Sequence, residues 1–398
     1  MHKTAKSSNM FSFRILHLGV LFLMFIGLDI IQGQANPPSQ SSAPVIILDH
    51  RDGSSVKEGK AKTSLKKEEL QPSRSESLND VNTSEKDFDL SGNNLNSQKA
   101  WLNTYQAKRN AFIVNDGKIS ASEKSALERI IIESKASING SFACYYMQLR
   151  EKRNQPESIQ LLKQIISIDP NNALLPAETA WIAERIGDLS LRNKALNAYR
   201  SSGFISNVQL KFASWMLDAI PQNGLIITNG ENDTYPVWLS NTSNKLVISL
   251  AMLEDVAWLN KTIAKWDASI HFKKSPSEQE FLNRIIKSNK PCYLAWSIRP
   301  DLLAPLSSQL FPIGPLLQVN DTNNDNVIRL RKFYFTEEVK AYLTSFEWKN
   351  DKYAVVLGNL IPGIQVLMQS PLVSDSQRST LQEMLANLSA NSKNASGR

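Results

Sequence analysis

The apolar positions change their period twice along the chain, and those changes divide it. Residues 36–98 show no period: Ser, Lys, Glu, Asp and Asn dominate, and Pro37-Pro38-Ser39-Gln40-Ser41-Ser42 reads as a spacer. Such a composition cannot bury enough apolar area to offset the entropy of ordering, so a disordered linker is expected. Its one apolar patch is Val45-Ile46-Ile47-Leu48. From Lys99 the spacing becomes helical. Trp101, Leu102 and Tyr105 open it; Leu127, Ile130, Ile131 and Ile132 continue it; Phe142, Tyr145, Tyr146 and Leu149 share one face. A further helix opens at Pro156-Glu157-Ser158 and aligns Ile159, Leu162, Ile165 and Ile166. It stops at Asp169-Pro170-Asn171-Asn172, because proline cannot continue the backbone ladder.

This hairpin repeats. Tyr146, Leu149, Asn154, Leu162 and Ile165 recur as Ala180, Ala183, Asp188, Leu196 and Tyr199, a period of about 34 residues, which is the length of a tetratricopeptide repeat (TPR). The stretch ESIQLLKQIISIDPNN resembles the second helix of a TPR with its closing proline. Two units need capping neighbours, and Ser206 to Ala219 is the natural capping helix.

At Pro221 the period changes again. Gly224-Leu225-Ile226-Ile227-Thr228, Leu246 to Leu250, Cys292 to Trp296 and Pro315 to Val319 read as short buried strands. Helical stretches separate them, at Val237 to Asn241, Val256 to Trp266, Ser277 to Ser288 and Asp301 to Gln309. That alternation predicts a small Rossmann-like parallel sheet. The fold class expected is α/β plus α. It comprises a signal peptide (1–35), a linker (36–98), TPR-like hairpins (99–220), an α/β module (221–325), C-terminal helices (326–390) and a disordered tail (391–398).

The first residues fix the expected compartment. Lys3, Lys6 and Arg14 form a basic region and Ile15 to Ile31 an apolar run, followed by Gly33-Gln34-Ala35. This is the pattern of a cleavable signal peptide, with cleavage expected after Ala35. The apolar run is about 17 residues, at the lower limit for a membrane span, and Asp29 interrupts it, so an uncleaved anchor is the weaker alternative. No cysteine lies near the cleavage point, which argues against a lipoprotein. The protein is therefore expected to be secreted, periplasmic or in the cell envelope, with no later span.

The formal net charge is +7. Acidic residues interleave the basic ones, so no phosphate-binding stripe forms and no nucleic-acid partner is expected. Cys144 and Cys292 show no metal-ligand spacing; they are read as buried thiols, with a disulfide as the alternative. Beyond residue 35 the histidines are His50 and His271, too few for a Ser-His-Asp or Cys-His arrangement to have much support. No phosphate loop or G-x-S-x-G occurs. No catalytic residue, resident metal or cofactor is expected. Asp321-Thr322-Asn323-Asn324-Asp325 lacks the glycine and distal glutamate of a calcium loop and reads as a solvated break.

The strongest local signal follows the first strand, in Asn229, Gly230, Glu231, Asn232, Asp233, Thr234, Tyr235, Pro236, Val237 and Trp238. In an open parallel sheet, ligands bind beyond the carboxyl ends of strands. Two readings stand side by side. In the structural one, Asn229-Gly230 turns the chain, Asp233 or Thr234 caps a helix, Pro236 fits its first turn, and Tyr235 and Trp238 enter the core. In the functional one, Asn229, Gly230, Glu231, Asn232, Asp233 and Thr234 converge on a polar ligand, with Tyr235 or Trp238 as a stacking face. A sugar, a peptide or a hard cation would suit such a set. A two-carboxylate hydrolase using Glu231 and Asp233 is a minor variant.

The string TNGENDTYPVW closely resembles a run N-G-D-N-D-T-Y/F-P-L-W found in the soluble region of bacterial protein O-mannosyltransferase-like membrane proteins of unknown function. It also resembles a run in exported bacterial TPR-like proteins. KPCYLAW is similar to the second strand signature of that module, and PLSSQLFPIGPLLQV to the stretch after it. The resemblance spans roughly residues 140–390 and is sharp over 228–238. Glu231 stands where aspartate is usual. LSNTSNKLVISL replaces a segment that elsewhere carries an arginine and an acid, and no membrane glycosyltransferase-like part is found. The resemblance therefore implies the soluble module and a link to glycans, but not transferase activity. The expected partner is a protein or peptide on the helical repeats. A glycan at the 229–238 loop is the alternative.

Overall fold

The computed structural model describes residues 95–116, 119–243, 245–320, 325–345 and 347–396. The expected signal peptide, the linker up to residue 94 and residues 321–324 of the polar break lie outside them. The described chain is a mixed α/β protein, mostly helical, with one five-stranded sheet. Among the described residues no helix is long and apolar enough to cross a membrane.

Helix α1 (Leu95–Asp116) takes in the last four residues of the expected linker, 95–98, and Gln98 is already buried. Helices α2 (Ala121–Ile138), α3 (Phe142–Lys152) and α4 (Ser158–Ile168) follow. Ser120 and Glu123 cap α2 reciprocally, and the Ser141 hydroxyl accepts the Cys144 N–H at the start of α3. Helix α4 ends one residue before Asp169-Pro170, as the proline requires. Helices α5 (Leu175–Ile186) and α6 (Leu189–Ser201) form the next hairpin. Gly187 (φ 81°) closes α5 in the left-handed conformation that glycine adopts without strain. The Asp188 side chain then accepts the Leu191 N–H to start α6. Helix α7 (Asn207–Asp218) is capped by Ser206 and Gln209.

The sheet is built from β1 (Leu225–Thr228), β2 (Leu246–Ser249), β3 (Cys292–Ala295), β4 (Leu310–Pro312) and β5 (Leu316–Val319). Their order is β2-β1-β3-β5-β4. Strands β2, β1 and β3 are parallel, with Ile226 opposite both Val247 and Tyr293. Strand β5 runs antiparallel to β3 and to β4. The wholly parallel sheet read from the sequence is thus corrected to a mixed one. A hairpin through Gly314 reverses the chain where another crossover was expected, and β4 begins directly after the stretch read as helix to Gln309. The connecting helices are α8 (Glu231–Ser240), α9 (Val256–Ile263), α10 (Glu278–Ile286) and the short α11 (Pro300–Leu303). Helices α12 (Asn326–Tyr334), α13 (Glu337–Ser345), α14 (Ile361–Met368) and α15 (Asp375–Ser396) complete the chain. The backbone of α15 thus runs five residues past residue 391, where a disordered tail was expected to begin.

Two apolar cores hold these elements, and α5 serves both. Leu175 and Ile182 face the core of α1–α4, whereas Ala177, Ala180 and Trp181 face the larger core around the sheet. The larger core runs from Ala177 to Leu388 without a break at residue 220. The C-terminal helices close over α7 through Trp215, whose ring meets Phe333 and Tyr342 edge-on at 5.8 and 5.4 Å. Cys144 and Cys292 are both buried and unbridged.

Candidate functional site

The chain leaves β1 at Thr228 and turns directly into α8, so most of the expected loop is helix. Asn229 and Gly230 form the turn, and Glu231 is the first helical residue. Asp233, in the first turn of α8, makes the turn possible. Its carboxylate accepts the Asn229 N–H (2.9 Å) and the Gly230 N–H (3.0 Å). It also accepts the Ser297 hydroxyl at 2.5 Å. Ser297 lies just beyond β3, so this bond spans the β1/β3 crevice, where the strand order reverses and where ligands bind in open sheets. Burial raises the Asp233 carboxyl above its usual range, and the Ser297 and backbone bonds oppose the rise. Ionised Asp233 therefore disfavours folding somewhat, and that cost lifts as pH falls through the carboxylate range. Asp233→Asn keeps the shape but offers one acceptor oxygen instead of two. It is expected to cost about 1–2 kcal/mol, measurable as a lower urea midpoint at unchanged slope.

The remaining predicted residues separate. The Thr234 hydroxyl meets that of Thr228 at 2.7 Å, fully buried. Pro236 sits in the second turn of α8, not the first. Tyr235 and Trp238 are each 1% exposed, so neither offers a face to a ligand. Tyr235 donates its hydroxyl to the Ala177 carbonyl (2.9 Å) and packs with Trp238 and with Trp181 of α5 at ring distances of 5.8 and 6.2 Å. Asn232 is exposed, and its carbonyl accepts from Gln209 at 3.4 Å. A β carbon added at Gly230 would meet nothing within 4 Å. At this edge, then, Asn229, Gly230, Glu231 and Asn232 reach solvent. Glu231 and Asp233 engage different partners rather than a common point, which removes the geometric basis of a two-carboxylate hydrolase.

Glu231 is where the geometry departs most from the sequence reading. Its Oε1 receives Arg153 in a direct hydrogen bond and lies 3.1 Å from Arg150 Nη1. Arg150 also bonds Glu178 of α5. Both arginines flank the end of α3, so Glu231 ties the α3–α4 hairpin to the first turn of α8. Burial alone would raise its pKa, but Arg150, Arg153 and Arg109 outweigh that and hold the carboxyl well below the usual range. Arg153 also stacks on the Trp181 ring, 3.9 Å from its centroid.

The same hairpin is fastened beyond β2. Asn154 accepts the Trp181 indole N–H (2.8 Å) and donates to the Ala251 carbonyl (2.9 Å). Arg185 of α5 pairs with Asp255 at 2.6 Å and donates to the Arg153 and Gln155 carbonyls. Sequence reasoning placed Asn154 in the repeat and gave no role to Arg109, Arg150, Arg153 or Arg185. Arg150 and Arg153 stand three apart at a helix end, a spacing that marks one helical face, but their partners lie 28 and 78 residues away.

His271 is exposed. Among the described residues no group of three or more His, Cys, Asp or Glu side chains is arranged to hold a metal ion. The chain matches no family model, no curated protein and no solved structure.

Proposed function

We propose that this is an exported cell-envelope or extracellular interaction protein. In this reading TPR-like helical pairs hold a protein or peptide partner, and a small Rossmann-like α/β module braces them and contributes a ligand-binding edge. The bounds of α3 and α5 agree with the period of about 34 residues read from the sequence, and Tyr146, Leu149 and Leu162 are buried like their counterparts Ala180, Ala183 and Leu196. The observation that carries the reading is a set of exposed aliphatic side chains on these pairs. Ile159 and Ile166 project from α4, and Ile186, Leu189 and Leu191 cluster at the α5–α6 turn, each 37–49% exposed. Exposed apolar side chains on repeat helices are where a partner helix or peptide would dock.

A photo-crosslinking residue at Ile166 or Leu191, introduced in the exporting cell, is expected to give one discrete adduct. The same residue at the exposed Glu383 of α15 should give none. No adduct at Ile166 or Leu191 in folded, exported protein would contradict the reading. Sequencing the exported chain should find Asn36 first.

A second reading, a glycan-binding or glycan-processing protein, draws support from the solvent-reached polar edge at Asn229, Gly230 and Glu231. It does not involve Tyr235, Trp238 or Thr234, which belong to the core.

A further inference from the structure

Three arginines gather where α1 and α3 meet the start of α8. The Arg109, Arg150 and Arg153 side chains are 16%, 11% and 10% exposed, so solvent reaches each while most of its surface is covered. Three glutamates accompany them, but the pairing is uneven. Arg150 has both Glu178 and Glu231, and Arg153 has Glu231. Among the described residues Arg109 has Glu151 alone, at 3.9 Å and outside hydrogen-bond range. The Glu151 oxygen it faces already accepts the Tyr105 hydroxyl at 2.5 Å. Arg109 Nε is buried with no hydrogen-bond partner. Burial together with the like charges of Arg150 and Arg153 pushes this guanidinium below its ordinary value. A guanidinium presents five donors in a planar fork and is a costly group to leave unpaired. Nε itself is out of a ligand's reach, but an added anion beside the solvent-reached part of Arg109 would offset the repulsion. Nearby, the first-turn amides of α8 bring the positive end of its dipole to Glu231.

We infer that Arg109, with Arg150 and Arg153, binds the oxyanion of a small ligand, a carboxylate or a phosphate, at the junction of the helical hairpins and the α/β module. The fork of Arg109 engages two oxygens of the anion. Arg150 and Arg153 keep their bonds to Glu231 and Glu178 and supply longer-range attraction. This site uses none of the exposed aliphatic side chains of α4 and the α5–α6 turn, so the two can be tested by different substitutions.

The test titrates the full chain by calorimetry at constant ionic strength in chloride with three probes: inorganic phosphate, galacturonate and neutral galactose. Saturable binding of phosphate or galacturonate is expected, with galactose at least tenfold weaker. Phosphate alone points to a phosphoryl carrier, and galacturonate alone to a sugar acid. Arg109→Lys keeps the charge but loses the fork, and is expected to weaken the anion at least tenfold at unchanged melting temperature. Arg331→Gln, at an exposed position on α12, should bind like the parent. Absence of saturation for both anions, equal binding of galactose, or equal loss in Arg331→Gln would overturn the inference. Should Arg109→Lys lower the melting temperature, the parent chain decides. A melting temperature that rises with anion concentration supports the site, and none at any concentration overturns it. Crosslinking at Ile166 should be unchanged in Arg109→Lys, which keeps failure here distinct from failure of the scaffold reading.

Discussion

Glu231→Gln is expected to destabilise the protein by about 3 kcal/mol at neutral pH, although the new side chain has nearly the same shape. The loss arises from the partners left behind. Arg153 loses its carboxylate, and Arg150 keeps only Glu178. Both guanidinia are about nine-tenths covered, so water cannot fully replace the missing charge. The pH dependence carries the same signature. Because the fold holds the Glu231 carboxyl well below its usual range, its contribution is fully present above the unfolded value of about 4.3. It is lost as pH falls from there toward the folded value. Chemical unfolding followed from pH 7 to pH 3 should therefore show the variant converging on the parent in acid. A constant difference across that range would mean that Glu231 acts through shape rather than charge.

Trp181→Ala is expected to have the larger effect, about 3–5 kcal/mol, a large fraction of the stability of an ordinary domain. Trp181 is fully buried and connects several otherwise independent elements. Its ring meets Tyr235 and Trp238 of α8 at 6.2 and 6.1 Å, carries Arg153 on its face, and its N–H fixes Asn154 in the α3–α4 turn. Removing it opens a cavity and frees the turn that docks on Ala251. Trp181→Phe restores most of the packing but not the hydrogen bond, and should fall between alanine and the parent. Thermal unfolding measures both. A Trp181→Ala protein that melts with the parent would mean that the junction is not formed in solution.

The sequence made the local features legible and left the long-range ones hidden. Helical periodicity placed α3 through α7 to within a few residues, because their apolar faces, Pro170 and Gly187 act within the segment itself. Strands β1, β2 and β3 were legible as short aliphatic runs buried on both faces. The reversal through Gly314 was not, since Leu316 to Val319 reads equally well as a strand of either direction. At the candidate site the glycine turn and the burial of Tyr235 and Trp238 followed from residue type. Most of the expected loop proved to be helix: Asp233, one of the two residues read as a helix cap, satisfies the turn's own amides. Glu231 was singled out, but the partners that the fold gives it were not foreseen. Its carboxylate was read as facing a ligand, but Arg150 and Arg153 approach it from a helix some 80 positions earlier, a contact that no local pattern encodes.

That contact is the centre of the account, because it joins the hairpins to the sheet and sets the stage for Arg109. A double-mutant cycle between Arg153→Ala and Glu231→Gln, read by urea unfolding at pH 7, tests it most directly. The account predicts a coupling of about 2 kcal/mol, with the double variant far less destabilised than the sum of the single ones. Additivity within about 0.5 kcal/mol would contradict it and return Glu231 to the solvent.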